Sequence, residues 1–142
     1  MHSNKTNLKK IKMKNLVYLS LAALLIVACS KDQKAVNNLE GSWVRTGLSY
    51  DGVTIVDTTG TTYSFEKCKV KKADCPGTMT SDGKSYDFTY NFADKGETFT
   101  ITLSVLGIPA ANTGSVIEQS SSKFVFNYTD TGGVLVEETL TK

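Results

Sequence analysis

The stretch YDFTYNFADKGETFTITLSV, residues 86–105, contains two runs in which apolar and polar side chains alternate. In the first run, Phe88 and Tyr90 fall on one face, and the polar residues between them fall on the other. In the second run, Phe99 and Ile101 share a face in the same way. Period-two alternation is typical of a β-strand with one buried face. The stretch therefore predicts two neighbouring strands of one β-hairpin.

The residues between these two runs predict how the strands pair. A turn over residues 93–96, Ala-Asp-Lys-Gly, would join them. Apolar faces then match across the hairpin, which supports this register because a one-residue slip would place them on opposite sides of the sheet. The expected pairs are Tyr90 with Phe99, Phe88 with Ile101 and Tyr86 with Leu103.

The same pattern recurs on both sides of this hairpin. Asp51-Gly52 and Asp82-Gly83 are strong two-residue hairpin signals, and Tyr63 and Phe65 belong to a further alternating strand. Turns at 121–122 and 129–133 complete the series. The expected pairs are Tyr50 with Val53, Leu48 with Ile55, Met79 with Tyr86, Ile117 with Phe126, Tyr128 with Val134 and Phe126 with Val136.

These strands predict an all-β fold. Eight or nine strands are linked almost entirely to their sequence neighbours, as in an antiparallel up-and-down meander. One face of this sheet is aromatic and aliphatic, and the other is rich in Thr and Ser. A meander has two exposed edges unless it closes, and closure into a small barrel removes both. We therefore expect a barrel domain over residues 39–142.

The N-terminal segment has the features of an export signal. Five lysines precede an apolar run, Leu16–Ala28, of 13 residues. As a helix this run would span about 20 Å, less than the bilayer core of about 30 Å. Residues 1–28 are therefore predicted to be a signal peptide, and Met13 is an alternative start. Residues 29–38, polar after Cys29, are predicted to be a flexible tether.

Ile26-Val27-Ala28-Cys29 resembles a bacterial lipobox. The resemblance implies that Cys29 receives a diacylglyceryl group and becomes the acylated first residue of the mature chain. The protein would then be attached to a membrane through Cys29. The alternative is an ordinary signal peptide that happens to be followed by a cysteine.

Cleavage before Cys29 changes the charge of the protein. Of its 16 basic and 14 acidic residues, five basic and no acidic ones precede Cys29, so a net charge of +2 becomes −3. The sequence has no basic patch of the kind that would indicate nucleic-acid binding. His2, the single histidine, is also removed, which excludes histidine-based triads and histidine metal ligands. Glu137 and Glu138 are adjacent and face opposite ways, so we expect no acid–base pair and no enzyme.

Two cysteines remain in the predicted barrel. Cys68 and Cys75 form an even pair in an exported chain, which predicts a disulfide. Six intervening residues do not match the C-x-x-C spacing of a redox motif. Two thiols without further ligands also make a poor zinc site.

Gly41 and Trp43, in the run NNLEGSWVRTG, resemble the G-x-W entry of lipocalins. A lipobox, a short linker, L-x-G-x-W and an antiparallel meander together resemble a family of short lipocalin-like lipoproteins of Bacteroidetes-type bacteria. The resemblance implies a small lipocalin-like barrel that is lipid-anchored at the bacterial outer membrane, on its periplasmic or cell-surface side.

The inner face of the barrel is the candidate binding site. An eight-stranded barrel is just wide enough to be filled by side chains or to hold one small ligand. Tyrosine hydroxyls in an apolar wall are a usual composition for a pocket, whereas the alternative is a packed core. The candidate ligand-binding residues are Trp43, Arg45, Tyr63, Phe65, Phe88, Tyr90, Phe99, Phe126 and Glu138.

Glu138 interrupts the apolar face of the last strand. Alternation points it inward, opposite Phe124. A buried carboxylate is costly unless paired, and Arg45 lies on the strand that closure places next to it. Glu138 would bind Arg45 or the polar head of a ligand, or a bulge would turn it outward.

Residues 105–114, VLGIPAANTG, are predicted to be an apolar loop. Exposed Leu106 and Ile108 would form a lid over the barrel or contact a partner or membrane. The alternative is a loop folded over the barrel end.

Two functions are compatible with these features. The first is a membrane-anchored protein that binds a small hydrophobic molecule inside the barrel. The second is a structural or accessory lipoprotein that has a filled core and binds another protein. A continuous interior pocket favours the first function, and a filled interior favours the second.

Overall fold

The computed structural model describes residues 31–70 and 74–142. The predicted signal peptide, the start at Met13 and the lipidation of Cys29 lie outside these residues. Helix α1 covers residues 31–39, and no helix in the described part of the chain is long and apolar enough to cross a bilayer. A 3-10 turn, Asp94–Gly96, separates the fifth and sixth of the nine strands in these residues. The strands are β1 Gly41–Tyr50, β2 Val53–Ile55, β3 Thr62–Phe65, β4 Cys75–Ser81, β5 Lys84–Ala93, β6 Thr98–Val105, β7 Ile108–Gln119, β8 Lys123–Thr129 and β9 Leu135–Thr141.

The strands form one closed antiparallel barrel, as the alternation predicted. Strand β1 pairs with β9, which joins the two ends of the meander, and β3 to β9 follow in sequence order. Eight strands, β1 and β3–β9, make the barrel. Strand β2 is an extra strand, and it pairs with the same edge of β1 as β3 does, further along that strand. The meander closes through the β1–β9 ladder.

Alternation places the aromatic face inside the barrel. In β5, Phe88, Tyr90 and Phe92 are buried, whereas Asp87 on the opposite face is exposed. The two Asp-Gly turns have positive φ at both central residues, as a two-residue hairpin requires. The pairs that they predicted are present: Tyr50 with Val53, Leu48 with Ile55 and Met79 with Tyr86.

Two of the other predicted hairpin registers are wrong by two residues. In the β5–β6 hairpin, Phe92 lies opposite Phe99, and Tyr90 lies opposite Ile101. Asp94, Lys95 and Gly96 all have positive φ, and they centre the turn one residue later than expected. Moving the centre of a turn by one residue moves each cross-strand partner by two. In the last hairpin, Asp130 closes the turn by accepting from the Gly132 and Val134 backbone amides. Tyr128 therefore pairs with Val136, and Phe126 pairs with Glu138. A shift of two residues preserves which side chains point inward.

The β7–β8 pairing differs from its prediction by one residue. A bulge between Val116 and Glu118 places Val116, rather than Ile117, opposite Phe126. Ile117 is consequently exposed on the outer surface. The predicted loop over residues 105–114 is also wrong, because β6 and β7 continue to a tight turn at Leu106 and Gly107.

Residues 31–38, predicted to be a flexible tether, instead belong to helix α1. Ala35, Val36 and Leu39 form one apolar stripe on this helix and are buried in the core. Their spacing of one and then three residues is that of a helical face. The folded domain therefore includes residues 31–38, and the helix closes one end of the barrel.

The predicted disulfide joins Cys68 to Cys75 at this closed end. Gln33 of α1 donates to the Cys68 carbonyl at 2.9 Å and accepts from the Val70 amide at 3.0 Å. On the other side of the helix, Gln119 donates to the Ala35 carbonyl at 2.9 Å. The disulfide segment and strand β7 thus hold the helix from two sides.

Candidate functional site

The two ends of the barrel interior differ in packing. We call the end that α1 covers the plugged end. Trp43, Tyr90, Phe99 and Phe124 are fully buried there, and the ring centroids of Phe99 and Phe124 lie 5.2 Å apart. The Trp43 indole donates to the Leu39 carbonyl at 2.6 Å. Side chains fill this end of the barrel.

Lys142 completes the plugged end from outside. Its Nζ lies 4.8 Å from the centre of the Trp43 ring and donates to the Glu40 carbonyl at 2.8 Å. A lysine over an indole face contributes a cation–π interaction of about 0.5–1 kcal/mol at an exposed site. These contacts hold Lys142 against the start of β1.

Glu138 lies in the middle layer of the barrel and points inward, so the alternative of an outward bulge is wrong. It is 4% exposed. Tyr63 donates to its Oε2 at 2.8 Å and Tyr128 donates to its Oε1 at 3.0 Å. The predicted pair with Arg45 is present, with 3.5 Å between Nη1 and Oε2. Three donors therefore converge on one buried carboxylate.

Arg45 also binds the segment between β2 and β3, residues 56–61. Its Nε donates to Asp57 Oδ2 at 2.8 Å, and its Nη2 donates to Thr61 at 2.9 Å and to Thr59 at 3.2 Å. Asp57 was not predicted as a site residue. The sequence around Asp57 predicts only a local turn. In this Asx-type turn, Asp57 Oδ1 accepts from the Thr59 amide at 2.9 Å. The turn does not predict a contact between Asp57 and Arg45.

We call Arg45, Asp57, Tyr63, Tyr128 and Glu138 the polar cluster. The hydrogen bond from Arg45 holds the pKa of Asp57 well below its usual range, against the opposing effect of burial. Burial lowers the pKa of Arg45, but the bond to Asp57 and the charge of Glu138 outweigh it and raise that pKa. Burial and the Glu138 charge raise the pKa of both tyrosines. The tyrosines therefore remain protonated donors at neutral pH.

The end opposite α1 is open. Tyr50 pairs with Val136 and Val53, and Leu48 pairs with Glu138 and Ile55. Directly paired residues share a face of the sheet, so Tyr50, Val53 and Ile55 lie on the inward face.

Strand β7 contributes one more residue to this end. Ala110 pairs with inward-facing Leu103, and Ile108 lies two residues before Ala110 on the same face. Yet Ile108 is 70% exposed, and Val53 on the β2 side is 68% exposed. Apolar residues on the inner face are in contact with solvent only where nothing covers them, so these residues form an uncovered mouth.

Exposure falls gradually from this mouth towards the polar cluster. A ring of inward-facing residues below the mouth is half-buried, and the layer of Tyr63, Phe88, Phe126 and Glu138 beneath it is fully buried. We call this graded region of the interior the funnel, with the apolar side chains as its walls and the polar cluster as its floor. The half-buried ring consists of Leu48, Met79, Tyr86, Leu103 and Tyr128.

The structure separates the nine predicted ligand-binding residues into two sets. Trp43, Phe65, Tyr90 and Phe99 lie in the packed layer at the plugged end. The other five, Arg45, Tyr63, Phe88, Phe126 and Glu138, form or adjoin the floor of the funnel. The residues of the mouth were not among these nine, although Ile108 was predicted to be exposed near the barrel end.

The likeness to known proteins concerns the fold. No family model and no curated protein matches the chain. A redesigned β-barrel of known structure is similar, with a TM-score of 0.52 and 21% identity over 76% of this chain and 94% of that one. A second redesigned barrel, mFAP1, bound to DFHBI, has a TM-score of 0.48 and 19% identity, and covers 76% of this chain and 98% of its own.

Proposed function

We propose that this protein is a membrane-anchored binding protein for a small hydrophobic molecule, which enters the barrel at its open end. The observation that carries the proposal is the exposure of apolar side chains on the inner face of the mouth, above a floor that contains polar groups. Apolar walls with a few placed polar groups are the usual composition of a small-molecule site.

Strand β7 offers a matched pair of variants for testing this site. Ile108 and Ile117 are both exposed isoleucines on that strand, but Ile108 faces the mouth and Ile117 faces outward at the bulge. A carboxylate at position 108 would place a charge in the path of an apolar ligand. At position 117 the same carboxylate lies on the outer surface.

The experiment titrates the neutral apolar dye N-phenyl-1-naphthylamine into the full chain carrying Cys29→Ala. We expect saturable binding at one site. Ile108→Glu should weaken this binding about tenfold, whereas Ile117→Glu should leave it unchanged. Equal binding by both variants would place the dye outside the funnel. Absence of saturable binding would favour the accessory role, in which the barrel binds another protein.

The anchor is a separate part of the proposal, and it is supported by the lipobox-like sequence before Cys29. Stable membrane attachment requires more than one acyl chain, because one chain gives only marginal binding. Incorporation of a palmitate analogue into the expressed chain should be lost in Cys29→Ala and retained in Ser30→Ala. Labelling of Cys29→Ala at the level of the unmodified chain would refute the anchor without affecting the binding site.

A further inference from the structure

The polar cluster at the floor of the funnel has used its donors internally. Of the five N–H groups of Arg45, four have partners in Asp57, Glu138, Thr59 and Thr61. The hydroxyl hydrogens of Tyr63 and Tyr128 are both directed at Glu138. Few hydrogens therefore remain to be donated to a ligand.

Acceptors remain at the same place. Among the described residues, Glu138 Oε1 receives one hydrogen bond, from Tyr128, although a carboxylate oxygen can accept two. The Tyr128 oxygen donates in that bond, which leaves its lone pairs available. Tyr128 is also half-buried and belongs to the ring that solvent reaches. The funnel thus ends in hydrogen-bond acceptors.

The net charge of the polar cluster likewise bears on which ligands the funnel favours. One guanidinium, Arg45, faces two carboxylates, Asp57 at 2.8 Å and Glu138 at 3.5 Å, so the cluster carries a net charge of −1. A buried net charge is costly unless it is compensated. A cation that entered the funnel would neutralise the cluster, whereas an anion would add repulsion in a partly dehydrated site.

The turns at the open end add negative charge to that of the polar cluster. Three of the four turns at the open end begin with an aspartate, at Asp51, Asp82 and Asp130, and Lys84 is the basic residue beside them. Clefts lined with one sign of charge raise the local concentration of ligands of the opposite sign. Both these turns and the floor therefore favour the same ligand charge.

We propose that the funnel selects apolar molecules with a cationic, hydrogen-bond-donating head, such as an alkyl amine, over molecules with an acidic head. This inference rests on the proposed function and adds the chemical class of the ligand. The apolar tail lies among the half-buried ring, and the ammonium donates to Glu138 Oε1 and to the Tyr128 oxygen. An alcohol of the same length donates one hydrogen bond without the charge.

The test measures displacement of N-phenyl-1-naphthylamine from the full Cys29→Ala chain by decylamine, decanol and decanoate. The measurements are made at pH 7, at constant ionic strength and below micellar concentrations. We expect decylamine to bind at least about tenfold more tightly than decanoate, with decanol between them. Equal or tighter binding of decanoate would overturn the inference. A dye that does not bind saturably would instead indicate failure of the proposed function.

Strand β9 offers a matched control for the role of the floor. Glu138 faces inward and neighbouring Glu137 faces outward and is exposed. Glu138→Gln should abolish the preference for decylamine over decanol, and Glu137→Gln should retain it. Loss of the preference in both variants would assign it to overall charge and contradict a site at Glu138. If Glu138→Gln does not fold, as melting by circular dichroism would show, the ranking of the three ligands by the unsubstituted barrel still decides.

Discussion

The plugged end and the open end of this barrel are built from the same alternating pattern, yet they differ in what covers them. At the plugged end, α1 contributes Val36 and Leu39, and the aromatic side chains beneath are sealed from water. At the open end, Val53 and Ile108 occupy equivalent inward positions and remain in contact with solvent. The alternating sequence therefore determines which side chains point inward, and the presence of a covering element such as α1 determines whether those side chains are buried.

A pair of identical substitutions should distinguish the two ends most strongly. Leu39 is fully buried in the plug, and Leu106 is 97% exposed at the tip of the β6–β7 hairpin. Leu39→Ala should lower the free energy of unfolding by about 2–5 kcal/mol, because it leaves a cavity, and Leu106→Ala should change it by less than about 0.5 kcal/mol. Urea denaturation of the two variants would check this. Similar losses would mean that the mouth is as tightly packed as the plug.

The disulfide belongs to the plugged end and should contribute the next largest effect. Cys68 and Cys75 close a ring of eight residues, for which chain entropy predicts about 2.5 kcal/mol. Replacing both cysteines by serine should reduce the unfolding free energy by that amount while dye binding at the mouth is retained. Coupled loss of stability and dye binding would show that the two ends do not act independently.

Asp57, in the polar cluster, makes the stability of the protein depend on pH. Its pKa is lowered in the folded protein by the bond from Arg45, so the unfolded chain binds the proton more readily. The stabilisation is complete above the usual aspartate pKa of about 3.9 and is lost as the pH falls towards the lowered value. Hydrogen bonds to charged groups contribute about 1.5–3 kcal/mol, which is the loss that we expect for Asp57→Asn at pH 7.

The same variant should also change the pH profile. Between about pH 4 and pH 2, the unfolding free energy of Asp57→Asn should fall less steeply with decreasing pH, by up to about 1.4 kcal/mol per pH unit. Leu106→Ala keeps the same ionisable groups and should give the unmodified slope. Chemical denaturation at a series of pH values measures both, and equal slopes for Asp57→Asn and Leu106→Ala would contradict the Arg45–Asp57 pair.

The smallest expected effect is a gain at the mouth. Leu106 has a φ of 53°, a left-handed conformation that costs a side-chain-bearing residue about 1 kcal/mol or more. Leu106→Gly should therefore raise the unfolding free energy by up to about 1 kcal/mol, reduced by the greater freedom of glycine in the unfolded chain. Thermal melting beside Leu106→Ala measures the difference. A loss of stability would show that the Leu106 side chain makes a contact that its exposure does not reveal.

The direction of most side chains could be predicted from the sequence, whereas strand register could be predicted only at the two Asp-Gly hairpins. Tyr90 was assigned a partner two residues from its true one, Ile101, and it still faces inward, because an error of two preserves the face. The true registers depend on local turn closure, by three successive positive φ angles after Ala93 and by the side chain of Asp130. Composition does not reveal either closure.

The candidate site was predictable to the extent that it depends on alternation. The inward direction of Glu138 and its pairing with Arg45 follow from a polar residue on an apolar face and from closure of the barrel. Asp57 lies in an irregular segment, where no periodicity places a side chain. Helix α1 was missed because nine residues with only three buried apolar positions give a weak helical signal, and its stability comes from packing on the barrel.

If Cys29 carries the proposed anchor, the position of α1 would also set the orientation of the barrel relative to the membrane. Lys31, the first helical residue that the structure describes, lies only two residues after Cys29, a distance of at most about 7 Å along the chain. With acyl chains on Cys29, the barrel would rest on the bilayer through its plugged end, and the mouth would face away from the lipid that holds it. Ligand would then be exchanged with the aqueous compartment or with a second surface opposite the membrane, and the anchoring leaflet would serve for attachment alone.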